Sequence, residues 1–325
     1  MKKIVFILPY FGQFNNYFPL FLKSCQFNST IDWIVYTDNE VEYEWPQNVK
    51  KINITFEKLR EKIQRCYPFQ IALDVPYKLC DYKVAYGDIF AEDISGYDFW
   101  GFCDCDLILG NIRKYVTDRI LNQYDKVFSR GHMQIFANKE QVINYYKKQK
   151  YVDYKKIFTD NHIYAFDEWK GCSRYWDLDH IPYYDELVMD DIDPNLNGFH
   201  TTKEIKGHDS PYHCQNANEA EKYASMSHII YRYDHGSLRR IYEKDGELQE
   251  QEIIYVHMQK RNMSGKQGGI SDMADAACWL IVPDKFEKDK KIEISVLKEL
   301  SPDMLSFHNI EVQLRRKIRN SLLRE

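Results

Sequence analysis

Two aspartates, Asp104 and Asp106, stand at the end of a hydrophobic stretch, WGFCDCD, at residues 100–106. On a β-strand, residues i and i+2 point to the same side, so the two carboxylates would project together. The carboxyl ends of parallel strands are where α/β sheets bind ligands. Adjacent carboxylates repel each other unless a cation joins them, and Mg²⁺ or Mn²⁺ prefers oxygen ligands. The motif therefore predicts a divalent-metal site, although most D-x-D triplets are solvated turns.

Cysteines alternate with these aspartates. Cys103 and Cys105 would point the other way, into packing, and a metal site of mixed Cys and Asp ligands is the less favoured alternative. The chain has 325 residues and eight scattered cysteines, with no C-x-x-C pair. This pattern disfavours a disulfide scaffold or a zinc ribbon. We expect reduced, mostly buried thiols in a cytosolic protein.

Alternating strands and helices must position the aspartates. Residues 3–8 (KIVFIL) form a continuous apolar run before Pro9, which is typical of a buried parallel strand. The predicted strands cover residues 3–8, 31–37, 52–55 and 99–105. The predicted helices cover residues 16–25, 56–66 and 78–92. Such alternation indicates βαβ units and a mainly parallel sheet.

The pattern changes after residue 125. Shorter strands are predicted at residues 126–129, 132–137 and 164–166, and a loop at the acidic, proline-containing residues 179–197. Antiparallel strands or hairpins are predicted at residues 228–233, 236–244 and 253–257, with a turn at Asp245-Gly246. The expected fold class is therefore α/β: a mainly parallel central sheet flanked by helices, with a mixed α+β C-terminal part.

Composition excludes several classes of protein. The 44 basic and 49 acidic residues give a net charge of −5, which disfavours nucleic-acid binding. Apolar residues make up 44% of the chain, enough for a sizeable core. The first apolar run is too short for a signal peptide, and no stretch approaches the ~20 apolar residues of a membrane span. A dehydrogenase is disfavoured because no G-x-G-x-x-G follows the first strand.

Two further features leave alternatives open. Aromatic residues make up 15% of the chain, with 25 Tyr, and they could form core or a surface for flat polar ligands such as sugars. From Phe307 to Leu322, apolar residues recur at helical spacing beside several Arg and Lys. A basic amphipathic helix can lie on an anionic membrane surface. A terminal helix docked on its own domain is the slightly favoured alternative.

The segments together resemble a GT-A-fold glycosyltransferase that uses a nucleotide-sugar donor. The resemblance rests on KIVFILPYFG (residues 3–12), YTDN (36–39), KLCDYKVAYGDIF (78–90) and FWGFCDCDLILGNI (99–112), with a weaker match at YVHMQKR (255–261). The ensemble is similar to glycosyltransferase-like proteins of bacterial capsule and exopolysaccharide gene clusters. It covers most of the first 170 residues.

The resemblance implies a bound Mn²⁺ or Mg²⁺. Asp106 would bind the ion directly, Asp104 would contact the ribose or, through water, the ion, and His257 would supply a third ligand. The segment around His257 departs from the better-known H-x-G-x-x-K-P-W form, because no glycine follows His257 and no Pro-Trp follows Lys260. A lone histidine at a strand end is otherwise more often structural.

A nucleotide-sugar pocket is also implied. The resemblance assigns the base and ribose to the loop after the first strand and to the end of the second: Pro9, Tyr10, Phe11, Gly12 and Asp38. It assigns the donor sugar and phosphates to five charged side chains: Lys78, Asp81, Lys83, Lys260 and Arg261. UDP is the favoured nucleotide.

An inverting transfer also needs a general base for the acceptor hydroxyl. Asp167 or Glu168 is the best candidate, and Trp169 and His132 would contact the acceptor. Alternatively, Asp167 or Glu168 is an N-cap or first-turn acid of a helix, and His132 is equally well explained as structural. If the enzyme retains configuration, the two acids would instead bind the acceptor.

The expected function is metal-dependent transfer of a hexose to a saccharide or lipid-linked acceptor in bacterial surface polysaccharide synthesis. Residues 1–260 would form the catalytic domain, with a nucleotide-binding half (1–125) and an acceptor-binding half (126–260). Residues 261–325 would be an extension ending in the basic helix, which could hold the protein at the inner face of the cell membrane from the cytoplasm. Two alternatives remain: a sugar-phosphate nucleotidyltransferase and a non-catalytic carbohydrate-binding protein.

Overall fold

The computed structural model describes residues 1–148, 150–168, 170–193, 198–200, 226–261, 263–264 and 277–302. Trp169 and the predicted C-terminal helix from Phe307 lie outside these residues. None of the helices in the described ranges is long and apolar enough to cross a membrane.

The strands follow one another along the chain as listed here: β1 (Ile4–Pro9), β2 (Ile31–Thr37), β3 (Val49–Asn53), β4 (Phe99–Cys103), β5 (Leu107–Leu109), β6 (Lys126–Arg130), β7 (Met133–Ala137), β8 (Asp190–Asp191), β9 (Ser227–Asp234), β10 (Ser237–Lys244), β11 (Glu247–Ile253), β12 (Tyr255–His257), β13 (Cys278–Val282) and β14 (Lys285–Lys288). The α-helices are α1 (Phe18–Phe27), α2 (Phe56–Gln64), α3 (Tyr86–Ile89), α4 (Ile112–Tyr115), α5 (Asp118–Gln123), α6 (Glu140–Ile143), α7 (Tyr154–Phe158), α8 (Ser173–Leu178) and α9 (Ile294–Leu300). Within the described residues, 3₁₀ helices cover Pro76–Ala85 and Tyr145–Lys147.

A six-stranded central sheet has the order β3-β2-β1-β4-β7-β6. Strands β1 to β4 pair in parallel, and β7 and β6 complete the sheet in antiparallel pairs. Residues on both faces of β1 and β4 are buried, as continuous apolar strands require. The predicted α/β class with a mainly parallel central sheet is confirmed.

A small sheet of order β5-β12-β8 adjoins the point where the central strands end. Its strand β8 lies within residues 179–197, so the prediction that this whole segment is loop was wrong. The two residues of β8 pair in parallel with Val256 and His257 of β12. A strand this short has no periodicity that a sequence pattern could reveal.

A five-stranded sheet of order β11-β10-β9-β13-β14 forms the C-terminal part. The predicted turn between β10 and β11 is confirmed, since Asp245 and Gly246 both have positive φ, at 53° and 80°. Strands β13 and β14, beyond residue 260, lie in the same sheet as β9. The proposed division of the chain at residue 260 stays a prediction.

The helical region predicted at residues 78–92 is a 3₁₀ helix followed by the short α3. Another local prediction needs correction. Residues 164–166 form no strand, because Ala165 has a left-handed φ of 51° and Asp81 accepts hydrogen bonds from the backbone N–H groups of Tyr164 and Phe166. These bonds hold the segment in a turn instead of a sheet.

Candidate active site

Asp104, Asp106 and His257 bring three ligand atoms together beyond the end of β4. Nε2 of His257 lies 3.3 Å from a carboxylate oxygen of Asp106 and 4.0 Å from one of Asp104. All three ligand atoms lie within 4.8 Å of one another. Two carboxylate oxygens and an imidazole nitrogen form a donor set that suits Mn²⁺ and can accept Mg²⁺. The three residues therefore fit the predicted divalent ion.

Pairing between β12 and β5 brings these distant residues together. Because β4 ends at Cys103, the two aspartates lie in the connection to β5 and do not share a strand face as predicted. His257 is opposite Leu107 in the antiparallel pair. The backbone N–H of Lys260 donates to the carboxylate of Asp106 at 2.8 Å. Lys260 has a left-handed φ of 57°, which turns the chain back over Asp106.

Asp191 of β8 holds the ring of His257. Its carboxylate lies 2.7 Å from Nδ1 of His257 and accepts a hydrogen bond from Gln259, also at 2.7 Å. Such a carboxylate fixes the orientation of a metal-binding imidazole and raises its basicity. Sequence reasoning missed Asp191. The available signal was the apolar run of residues 187–189 that precedes it, which parallels the run before Asp104.

Opposite charges keep this cluster ionised. Burial raises the pKa of Asp106, but the charge of His257 and its hydrogen bond outweigh that effect, so the pKa lies below its usual value. Burial lowers the pKa of His257, but Asp106 and Asp191 outweigh it and hold the pKa well above the usual value. Asp106 is thus available as an anionic ligand at neutral pH.

Lys83 connects Asp104 to a second acidic group. Its Nζ lies 2.7 Å from Asp104 and 3.0 Å from Asp167, and it donates to the carbonyl of Gly131 at 2.8 Å. Burial lowers the pKa of Lys83, but the two carboxylates raise it well above its usual value. The two carboxylates and the carbonyl of Gly131 together give all three N–H groups of the ammonium a protein acceptor. The predicted contact with donor sugar or phosphate stays a prediction.

Asp167 and Glu168 lie in a turn that is hydrogen-bonded to β7 and to Gly131. Gln134 donates to the backbone carbonyl of Asp167 at 2.6 Å, and the backbone N–H of Gly131 donates to the carboxylate of Glu168 at 3.0 Å. Helix α8 begins at Ser173, so the two acids are not its N-cap or first-turn residues. Burial raises the pKa of Asp167 to about 7; Lys83 opposes this shift, and Glu168 and Asp104 add to it.

Lys78 and Asp81 lie beneath this turn and do not line the cleft. Their side chains are 1% and 0% exposed and form an ion pair of 2.7 Å. Lys78 also donates to the carbonyls of Ile157 and His162. The predicted donor contacts of Lys78 and Asp81 therefore find no support in the geometry, because this fully paired cluster supports the turn that carries Asp167.

The remaining predicted residues divide into two groups around a cleft of about 620 Å³. Eleven of them line it: Pro9, Tyr10, Phe11, Lys83, Asp104, Asp106, His132, Asp167, Glu168, His257 and Lys260. Gly12, Asp38 and Arg261 do not. The N–H of Gly12 donates to Asp38 at 2.9 Å, which shapes the loop after β1. The Arg261 guanidinium instead donates to the carbonyl of Pro283 at 2.5 Å.

His132 lies against the candidate metal site. Its Nδ1 is 2.8 Å from the hydroxyl of Tyr255, and its ring stacks on that of His257 at 4.7 Å between centroids. Burial, together with the charge of His257, lowers the pKa of His132 well below its usual value. It is therefore neutral at physiological pH. Its predicted acceptor contact stays a prediction.

Further residues line the cleft that the sequence did not single out: Asn15, Tyr77, Cys80, Arg130, Asp191 and Gln259. Three of them, Tyr77, Cys80 and Arg130, come from segments whose side chains could not be assigned to the cleft without the fold. Arg130 is 4% exposed. A charged residue at the end of a strand gives no sequence signal that separates a binding group from a solvated one.

The family model described as "Family of unknown function (DUF6625)" matches residues 6–290. No curated protein matches the chain. Among solved structures, the chain is similar to the galactosyltransferase LgtC in complex with donor and acceptor sugar analogues, at 10% identity and a TM-score of 0.36 over 68% of this chain and 94% of that one. It is also similar to the apo-form glycosyltransferase GlyE of Streptococcus pneumoniae TIGR4, at 12% identity and a TM-score of 0.27 over 44% of this chain and 35% of that one. Likenesses this distant assign no activity.

Proposed function

The chain belongs to the DUF6625 family, and we propose that it is a metal-dependent glycosyltransferase with a nucleotide-diphosphate sugar as donor. The observation that carries the proposal is the convergence of Asp104, Asp106 and His257 in one wall of a cleft at the carboxyl ends of parallel strands. An ion of Mn²⁺ or Mg²⁺ held there would neutralise charge on a diphosphate leaving group.

The donor would lie between the loop after β1 and Lys260. Tyr10 and Phe11 line this part of the cleft and offer aromatic faces to a base or a ribose. Lys260 is exposed, and its ammonium lies 5.1 Å from the ring centre of Tyr77. An exposed cation near the metal ligands favours the transition state over the ground state, because negative charge grows on the departing diphosphate.

Asp167 would act as the general base of an inverting transfer. It lines the cleft on the other side of Lys83 from Asp104. Its raised pKa of about 7 suits proton abstraction near neutral pH. Glu168 would position the turn through the N–H of Gly131. We therefore favour Asp167 over Glu168 as the base.

The biological setting follows from the sequence resemblance. We propose a hexose-type sugar, UDP as the nucleotide, and a saccharide or lipid-linked acceptor of a bacterial capsule or exopolysaccharide. The protein would work in the cytoplasm, with contact to the inner face of the membrane if the residues after Phe307 bind lipid.

A thermal-shift panel of uridine, guanosine and cytidine nucleotide sugars, each with and without Mn²⁺, tests the proposal. A donor that binds only with metal raises the melting temperature, and at a hundredfold excess over its Kd it adds about 2.7 kcal/mol to the free energy of unfolding. Asp106→Asn should abolish the shift. Glu247→Gln, an exposed acid on β11, is the matched control and should keep it.

Four results would contradict the proposal. Absence of stabilisation by every donor, or an undiminished shift in Asp106→Asn, would remove its basis. Donor binding with no release of nucleoside diphosphate, with or without candidate acceptors, would indicate a carbohydrate-binding protein. Release of pyrophosphate from a sugar phosphate and a nucleoside triphosphate would identify a nucleotidyltransferase.

A further inference from the structure

Arg130, the last residue of β6, is a buried cation that faces the cleft. The residue is only 4% exposed. Within the described ranges, its guanidinium has no hydrogen-bond acceptor and no carboxylate within ion-pair distance. Arg240, a second buried arginine among the described residues, differs: it forms an ion pair of 2.5 Å with Asp190 and donates to Gln251.

Leaving a buried charge without an anion is expensive for the fold. A protein that keeps such a residue at a cleft gains from it when a ligand supplies the anion. The planar guanidinium presents paired N–H groups that match a carboxylate or a phosphate. Arg130 therefore has the chemistry of an oxyanion-binding residue.

The place of Arg130 separates it from the donor end of the cleft. Along the central sheet, the loop with Tyr10 follows β1, Asp104 follows β4, and Arg130 ends β6 at the far edge. The charge of Arg130 acts on the pKa of His132 and Tyr255, whereas that of Lys260 acts on Asp106. The nucleotide base, the metal ion and Arg130 would thus follow one another along the cleft. The base marks the donor end, the metal ion the reaction centre and Arg130 the acceptor end.

We infer that Arg130 binds an anionic group of the acceptor, a carboxylate or a phosphate ester close to the hydroxyl that receives the sugar. The assignment of this anion to the acceptor rests on the proposed glycosyltransferase function. The carboxylates of Asp167 and Glu168 do not compete for Arg130, because Lys83 and the N–H of Gly131 already bind them. The acceptor class is accordingly an acidic saccharide or a phosphate-bearing one, and neutral sugars bind weakly.

Binding of small probes to the full chain, saturated with Mn²⁺ and UDP, tests this inference. Glucuronate, inorganic phosphate and glucose are titrated by ligand-observed NMR against wild type, Arg130→Gln and Arg130→Lys. Wild type should bind one of the anions about tenfold or more tightly than glucose. Arg130→Gln should lose this preference, and Arg130→Lys should keep part of it. Arg239→Gln, whose side chain is 48% exposed, is the control and should behave as wild type.

The choice between the anions identifies the source: glucuronate above phosphate indicates a carboxylate, and the reverse indicates a phosphate ester. Equal anion binding in wild type and Arg130→Gln overturns the inference. So does weaker Mn²⁺-dependent UDP binding in Arg130→Gln, which would place Arg130 in the donor site.

Stability of the ligand-free protein distinguishes binding from a structural role. Arg130→Met removes a buried, unpaired charge, so its melting temperature should equal or exceed that of wild type. A fall of several degrees would make Arg130 structural and overturn the inference. If wild type binds no nucleotide sugar but still prefers anions through Arg130, the proposed function fails while the anion site stands.

Discussion

Lys83 makes the two acidic groups of the candidate site interdependent. It contacts Asp104, a candidate metal ligand, on one side and Asp167, the candidate base, on the other. When the charge on one carboxylate is neutralised, Lys83 interacts more strongly with the other. We therefore expect substitutions at either carboxylate to change the pH dependence of the reaction as well as its rate.

The raised pKa of Asp167 predicts a pH dependence of catalysis. Burial favours the neutral acid and places the pKa at about 7, above the usual value of 3.8. A general base works only when deprotonated, so kcat/KM should rise about tenfold per pH unit below pH 7 and level off above it. Asp167→Asn should remove this limb and lower the rate by about 10²–10⁴.

The contribution of Asp167 to the free energy of unfolding should change with pH in the opposite direction to the rate. Because the folded state holds the proton of Asp167 more tightly than the unfolded state, this residue's contribution to stability is full below pH 4 and is lost as pH rises to 7. The free energy of unfolding of Asp167→Asn, relative to that of wild type, should therefore increase as pH rises from 5 to 8. A flat rate profile between pH 5 and 9, with wild-type rates in Asp167→Asn, would exclude Asp167 as the base.

Sequence reasoning identified residues with a local signal and missed those defined by long-range contacts. Asp104 and Asp106 follow an apolar strand directly, and that context singled them out. Asp191 gains its significance from a contact far along the chain, the hydrogen bond that it accepts from His257, and Arg130 gains its significance from its place in the folded cleft. The resemblance to glycosyltransferases suggested a donor contact for Lys78, but its side chain is buried in an ion pair with Asp81 beneath the turn at Asp167.

At the scale of elements, the end of β6 and its connection to β7 bring several functions together. This stretch contains Arg130, Gly131 and His132, and the pairing register of β6 with β7 shifts between Val127 and Arg130. Phe128 adopts a left-handed φ of 67° in this stretch. The irregularity directly precedes Arg130 and His132, whose side chains line the cleft, and bulges beside active sites commonly redirect side chains in this way.

Gly131 allows this connection to pack against the two acids. A Cβ at this position would lie 2.5 Å from a carboxylate oxygen of Glu168 and 2.8 Å from one of Asp167. Gly131→Ala should displace both carboxylates, lower kcat by about 10- to 100-fold and cost about 1–3 kcal/mol of stability. Initial rates and urea denaturation measure the two effects.

Removing the obstructing side chain should relieve that strain. In a Glu168→Ala background, Gly131→Ala should cost less stability than in wild type, with a coupling of about 0.5–3 kcal/mol. Strictly additive effects would show that the carboxylates of the turn move aside freely. The element would then not hold the base in place.

Helices and strands were predictable where the hydrophobic pattern extends over enough residues to be recognised. β1, β2 and α2 were predicted within a residue or two because each has a continuous apolar run or a hydrophobic periodicity that spans more than one turn. The region from Lys78 was predicted as helical without its type, since a 3₁₀ helix and an α-helix differ by hydrogen-bond partners and not by composition. β8 is defined by its neighbour β12 alone.

For the whole molecule, the aromatic excess serves the core more than the cleft. Trp33, Trp100 and Trp279 are among the largest fully buried side chains, and Trp279 stacks on Tyr233 at 4.1 Å. Tyr10 and Tyr77 line the cleft. Composition therefore indicated neither use by itself, because one residue type fills both roles.

The C-terminal antiparallel sheet supports the candidate metal site through a buried ion pair. Asp190 pairs with Arg240 of β10 at 2.5 Å and accepts a hydrogen bond from Tyr231 of β9 at 2.8 Å. Its neighbour in β8, Asp191, orients His257. Side chains of β9 and β10 in the five-stranded sheet thus hold β8, a strand of the small sheet.

Arg240→Met should consequently weaken both the fold and metal binding. Removing one partner leaves Asp190 buried and unpaired, which should cost about 3–5 kcal/mol in urea denaturation. If β8 shifts, His257 loses its orienting carboxylate, and Mn²⁺ affinity measured by calorimetry should fall about 10- to 100-fold. Arg239→Met, an exposed neighbour on the same strand, should change neither. Loss of stability with wild-type Mn²⁺ affinity would mean that the C-terminal sheet stabilises the molecule without positioning its site.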